Sequence, residues 1–141
     1  MVDATIGPDG VRHDALPPIT RRVLRPSTTQ TLTQMLAYVV QDGTGVSAQI
    51  PGYQVAGKTG TAKKLDANGH YVSRYVASFI GFLPASQPRV VVAVIIDEPR
   101  TVYGGVAAAP VFQEVARYAI QRLGIEAAPA VPLPPHAMPV P

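Results

Sequence analysis

The chain has 141 residues, of which 47% are hydrophobic and 15% charged, enough for one modest domain with a core and unlike a polar disordered chain. Its formal net charge is +3 and its pI is near 9.5, yet adjacent cations occur only at Arg21-Arg22 and Lys63-Lys64, with no basic face interleaved with aromatics, so nucleic-acid binding is not predicted. Cysteine is absent, which excludes disulfides, thiolate nucleophiles and cysteine-held metals.

The three histidines, His13, His70 and His136, fall in a turn, a loop and the tail. None has a partner at ligand spacing, so no metal site is predicted. Met1 to Gly10 has neither a basic start nor an apolar run, unlike a signal peptide. The longest apolar run, Val90 to Ile96, is too short to span a bilayer.

Residues 1–25 read as a short hairpin and a linker. Gly7-Pro8-Asp9-Gly10 is a strong turn signal, and Pro17-Pro18 keeps the following chain extended. Residues 26–124 carry the folded part. A helix is predicted from Ser27, where Ser27 and Gln30 have the spacing of a capping box. Leu32, Met35, Leu36, Val39 and Val40 form its apolar stripe, and Gly43 stops it.

Tyr53 to Ala62 is a candidate strand, followed by a polar turn around Asn68-Gly69. Tyr75 to Leu83 is a second strand and Arg89 to Asp97 a third. The unbroken apolar run of the third predicts burial on both faces, hence a central position. Only one neighbour is in sight for it, so its other edge should be bare. Tyr103-Gly104-Gly105 is predicted to be a flexible loop. A last helix runs from about Pro110 to Leu123, with Phe112, Val115, Ala116, Ala119, Ile120 and Leu123 on its apolar face. Residues 125–141 are Pro-rich and predicted to be a disordered tail. The fold class that follows is α+β: a partial antiparallel sheet of three main strands packed with helices.

Tyr53 to Ala62 is the only place where a cation, two hydroxyls and two glycines sit together. Two incompatible structures fit it. Gly52 to Thr59 matches Gly-x-x-x-x-Gly-Lys-[Ser/Thr], and Val90 to Ile96 followed by Asp97 imitates the strand and acid that hold Mg²⁺ in nucleotidases. A phosphate loop, however, must follow a buried strand and open a helix. Pro51 upstream and the polar run with Asn68-Gly69 downstream fit neither requirement. The alternative is an extended edge strand that presents Lys58-Thr59-Gly60.

Val55 to Ala62 resembles the Lys-Thr-Gly box of penicillin-binding proteins and serine β-lactamases. Gly43-Thr44-Gly45, Ser78 to Pro84, Ile95 to Pro99, Tyr103-Gly104-Gly105 and Ala109 to Phe112 are similar, in order, to the class B penicillin-binding pattern of the division or elongation type. The resemblance runs from about Arg22 to Leu123.

It implies roles for five residues. Lys58 supplies positive potential at a peptide's terminal carboxylate and polarises nearby hydroxyls. Thr59 hydrogen-bonds that carboxylate. Gly60 lets a substrate backbone lie alongside, and the Thr61 backbone N–H is an oxyanion donor. Tyr103 walls the site. The implied parent activity is D,D-transpeptidation of peptidoglycan stem peptides ending in D-Ala-D-Ala, with β-lactams as mimics. No cofactor is implied. The implied setting is the cell envelope, by an inner-membrane anchor, beside other wall-synthesis proteins.

The family's Ser-x-x-Lys and Ser-x-Asn boxes are missing. None of Ser27, Ser47, Ser73, Ser78 and Ser86 has Lys three residues on. The chain therefore reads as the last third of such an enzyme and is expected to be inactive alone. A nucleotide-binding protein and a non-catalytic interaction module are the two other classes the sequence leaves open.

Overall fold

A computed structural model describes residues 4–14 and 21–134. The predicted N-terminal hairpin is present. Strand β1 (Ala4–Ile6) pairs antiparallel with β2 (Arg12–Asp14) around a turn in which Gly10 has φ 76°, a value glycine adopts without a Cβ clash. The Pro17-Pro18 linker lies outside the described residues.

Helix α1 spans Pro26–Asp42. It begins one residue before Ser27, and the capping box does not form. Arg25 is the N-cap, without a side-chain cap bond, and Pro26 takes the first turn. Proline is pre-set for that position and has no N–H to orphan. Ser27 therefore lies inside the helix, where its carbonyl accepts from Thr31 Oγ1. The apolar stripe is covered only at its C-terminal end. Val40 is buried and Leu36 partly so, while Leu32 and Met35 are 44% and 53% exposed. At the far end the Val39 carbonyl accepts from both Gly43 and Gly45 N–H.

A 3-10 turn at Val46–Ala48 leads to three strands: β3 (Ala56–Leu65), β4 (Tyr71–Leu83) and β5 (Val90–Asp97). They form one antiparallel sheet in the order β3-β4-β5. The middle strand is thus β4, not the all-apolar β5. Burial along β5 alternates strictly: Val90, Val92, Val94 and Ile96 pack against the core, while Val91 and Ile95 on the other face are each 68% exposed. An apolar run marks a strand that can be buried on both faces; it does not say which neighbours this chain provides. Among the described residues β5 pairs only with β4, as the bare edge predicted.

Register assigns the faces. Gly60 pairs with Ser78 and Lys58 with Ile80, while Thr59 pairs with Phe79 and Thr61 with Ala77. Side chains alternate along a strand, so Lys58 and Gly60 share one face and Thr59 and Thr61 the other. The second face carries the larger core cluster, while the first buries Ala56 and Phe82 with Leu36 and Ala37 of α1. Phe79 and Phe112 are fully buried and meet edge to face, ring centroids 4.8 Å apart at 62°, a favoured aromatic geometry. Phe112 belongs to α3 (Ala109–Leu123), whose inner side lies on β4 and β5. Gly57 and Gly81 sit beside Phe79, where a Cβ would come within 2.6 Å and 2.9 Å of its ring; the ring fits there because neither residue has a side chain.

Tyr103-Gly104-Gly105 is not an irregular loop. The chain makes a short helix, α2 (Gly104–Ala107), capped by the Tyr103 carbonyl. The distal end of the sheet is tied by charge. Lys64, at the β3 irregularity between Lys63 and Leu65, reaches both oxygens of Asp97 (2.8 and 2.9 Å) and Glu98 Oε1 (2.8 Å). Arg74 joins at 3.1 Å. The hydrogen bonds that Lys64 donates to Asp97 and Glu98 raise its pKa, and the Lys64 ammonium lowers that of Glu98. By linkage the Glu98 part of this tie holds above the ordinary carboxyl pKa and fades as pH falls through the lowered one. The Lys64 part holds below the ordinary lysine pKa and fades as pH rises past the raised one.

Candidate functional site

Strand β3 is an edge. It pairs with β4 on one side and with no strand on the other among the described residues. Lys58 is exposed and bends around this open edge. Its Nζ donates to the Thr59 carbonyl at 2.9 Å and to Thr59 Oγ1 at 3.3 Å. The Thr59 carbonyl therefore points away from β4. Main-chain groups in an antiparallel ladder alternate in direction with a period of two, so the Thr61 N–H faces the same open edge.

Thr59 Oγ1 also lies 2.9 Å from Thr44 Oγ1. An ammonium and two hydroxyls thus converge at one point on the edge: Thr59 Oγ1 accepts from Lys58 Nζ and shares one hydrogen bond with Thr44 Oγ1, and each of the three groups is able to donate to a ligand. Such a cluster suits a carboxylate, since charge-assisted hydrogen bonds are roughly twice as strong as neutral ones.

The glycines set how closely the surrounding segments approach. A Cβ on Gly60 would lie 2.5 Å from Ser78 Oγ. A Cβ on Gly104 would strike the main-chain carbonyls of Ser78 and Gly60, and one on Gly105 the carbonyl of Thr44. Helix α2 therefore lies directly on the β3–β4 ladder and on the Thr44 loop. Thr61 ties it there: its hydroxyl donates to the Val102 carbonyl (3.1 Å) and accepts from Gly104 N–H (3.4 Å).

Of the five residues singled out in the sequence, Lys58, Thr59, Gly60 and Thr61 fall together on this edge. Tyr103 precedes α2 with its side chain 68% exposed, and its phenol makes no hydrogen bond among the described residues. In the sequence Thr44 stands out only as part of a Gly-Thr-Gly triplet. Its hydroxyl contact spans fifteen positions, a separation that no local pattern reveals.

The phosphate-loop reading is overturned. Gly52 has φ 82° within a turn, but Lys58 and Thr59 lie inside a ten-residue strand rather than at the start of a helix. Asp97, its supposed Mg²⁺ acid, is held by Lys64. A cavity of 800 Å³ lies elsewhere, between Val40, Gln49, Gln54, Gln113 and Arg117. A strand edge offers a line of main-chain groups rather than a hollow, so the cavity and the edge are separate features.

Among the described residues no group of His, Asp and Glu could hold a metal ion, and no helix is long and apolar enough to cross a membrane.

Comparison with known proteins bears on the family and the fold. Residues 1–117 match the model of the penicillin binding protein transpeptidase domain. The chain is 42% identical over 135 residues to the probable peptidoglycan D,D-transpeptidase PenA of Neisseria flavescens, covering 93% of this chain and 33% of that protein. It superposes on crystal structures of penicillin binding protein 3 from Mycobacterium tuberculosis. For the apo form the TM-score is 0.75 at 37% identity, over 95% of this chain and 33% of the other. For the ampicillin complex it is 0.74 at 38% identity, over 91% of this chain and 31% of the other. The chain spans about a third of the length of these relatives. With its α+β layering, its three-stranded antiparallel sheet and a family match over most of its length, the chain belongs to the penicillin-binding protein transpeptidase family.

Proposed function

We propose that this chain is the substrate-facing C-terminal part of a class B peptidoglycan D,D-transpeptidase of the cell envelope. The observation that carries the reading is the convergence of Lys58 Nζ, Thr59 Oγ1 and Thr44 Oγ1 on the unpaired edge of β3. A stem peptide ending in D-Ala-D-Ala lies along that edge as an added strand. Its terminal carboxylate meets the Lys58 ammonium and the Thr59 hydroxyl. Gly60, without a side chain, leaves room for its backbone. The Thr61 N–H faces the penultimate carbonyl and stabilises the oxyanion.

In the family reaction a serine oxygen attacks that carbonyl, and the C–N bond to the terminal D-Ala breaks. The departing amine takes a proton, and an acyl-serine remains. An amine of a second stem peptide then attacks the ester, forming the cross-link and releasing the serine. A β-lactam stops at the acyl-serine because its ring opens without a group leaving. The serine and its lysine belong to the Ser-x-x-Lys box, which this chain does not contain. Tyr103, exposed beside α2, would border the bound peptide.

The test is a chimera in which this chain replaces the corresponding third of Neisseria flavescens PenA. Fluorescent penicillin is expected to label the chimera covalently and to leave the isolated 141-residue chain unlabelled. A chimera that shows a cooperative melt but takes no label overturns the reading. Label on the isolated chain overturns the statement that it supplies no nucleophile.

A further inference from the structure

The composition of residues 125–141 predicts a disordered tail, and residues 135–141 lie outside the described part. From 125 to 133 the chain is held against the body of the protein. Ile125 is buried, and its carbonyl accepts from Tyr53 Oη at 2.7 Å. The Pro129 carbonyl accepts from Ser86 Oγ at 2.6 Å. Val131 and Leu133 pack with Leu36, Ala37, Ala56, Phe82 and Ala85. Prolines at 129, 132 and 134 bar helix and ladder alike, but a Pro-rich chain has little conformational freedom to lose when it is ordered. A few contacts suffice.

Gln54 is the centre of this arrangement. Its Nε2 donates to the Val131 carbonyl at 3.1 Å, and its Oε1 accepts the Val131 N–H at 2.7 Å. One side-chain amide thus satisfies both main-chain groups of one tail residue. The Gln54 carbonyl also accepts from Ala85 N–H at 2.8 Å, in the connection after β4. Gln54 stands two residues before β3 and four before Lys58. Ala56, the first residue of β3, is fully buried in the same cluster as Val131.

An edge strand has a ladder on one side only, so its entry must be fixed by something else. A one-residue slip of β3 would move Lys58 to the opposite face and turn the Thr61 N–H inward. We propose that residues 125–133 act as a strap that fixes the entry of β3, and that Gln54 is the positioning residue through which the strap sets the Lys58–Thr59 edge. Gln54 touches no substrate; it acts through Ala56 and the start of the strand. The catalytic consequence rests on the transpeptidase reading, whereas the strap itself does not.

Two variants test it: Gln54→Leu, and removal of residues 129–141, which leaves every residue of the edge intact. Amide exchange measured on the 141-residue chain is expected to quicken about tenfold at Lys58 and Gly60, whose N–H groups face β4, in both variants, as for loss of one or two hydrogen bonds, with α3 unchanged. In the PenA chimera, penicillin acylation is expected to slow about tenfold. Unchanged exchange at Lys58 and Gly60 overturns the proposal, and so does an equal rise across α3, which would mark general loosening. A local rise with unaltered acylation overturns the positioning role. If the unmutated chimera takes no label, it is the transpeptidase reading that fails, and the exchange experiment still decides the strap.

Discussion

Replacing Lys58 with alanine is expected to slow penicillin acylation of the PenA chimera by about 10²-fold while leaving its melting temperature unchanged. The ammonium is exposed, and the hydrogen bonds the structure gives it are both to Thr59. Its loss therefore strands no buried partner, and stability should move by no more than about 0.5 kcal/mol. Binding is a different matter. A hydrogen bond with a charged partner contributes roughly 1.5–3 kcal/mol, and each 1.4 kcal/mol is about tenfold, so the upper end of that range gives the expected factor. Thr59→Val removes a neutral donor from the same carboxylate and is expected to cost about tenfold by the same arithmetic. The Lys58 effect should shrink as salt rises, because an exposed charge is screened. Stopped-flow acylation at two salt concentrations reads both quantities. Wild-type rates in Lys58→Ala would mean that the edge does not bind the acylating ligand.

Gly104→Ala is expected to destabilise the chimera by about 1–3 kcal/mol, the usual range for overpacking, and to lower acylation with it. The added methyl would run into the carbonyls of Ser78 and Gly60. Those oxygens belong to the β3–β4 ladder and cannot rotate away as a side chain would. Either α2 lifts, breaking the Thr61 contact with Gly104 N–H, or Gly60 shifts out of line with Lys58. Val106→Ala is the control: Val106 is exposed on the same short helix and should be neutral within about 0.5 kcal/mol. Thermal melts of the two variants make the comparison. Equal melting temperatures would mean that the close approach of α2 does not hold the edge in shape.

Much of this arrangement is legible in the residues themselves. Tyr53, Gln54, Val55 and Ala56 favour extended structure over an anion nest, and an extended strand does carry Lys58, Thr59 and Gly60, but it spans Ala56–Leu65, starting and ending three residues later than the predicted Tyr53 to Ala62. The hairpin around Gly7 to Gly10 and the helix ending at Leu123 follow from turn chemistry and a 3.6-residue period.

What escaped has physical causes. Capping chemistry at Ser27 was outcompeted by the fixed φ of Pro26. The apolar run of β5 suggested the middle of the sheet, but the middle belongs to β4, because only pairing decides order. The Thr44–Thr59 contact and the Gln54–Val131 pair join segments fifteen and seventy-seven residues apart. The Pro-rich tail read as disordered because its composition resists regular structure. A single glutamine amide that holds Val131 from both sides leaves no such trace in composition.

On the proposed reading a ligand lies along the outer edge of β3 with its carboxylate on Lys58 and Thr59. A crystal structure of the chimera acylated by ampicillin tests it most directly. The ligand's amide is expected to pair with main-chain groups of β3 on the side away from β4, and its carboxylate to lie within hydrogen-bonding distance of Lys58 Nζ and Thr59 Oγ1. A carboxylate bound away from these groups, with the β3 edge bare, would contradict the account.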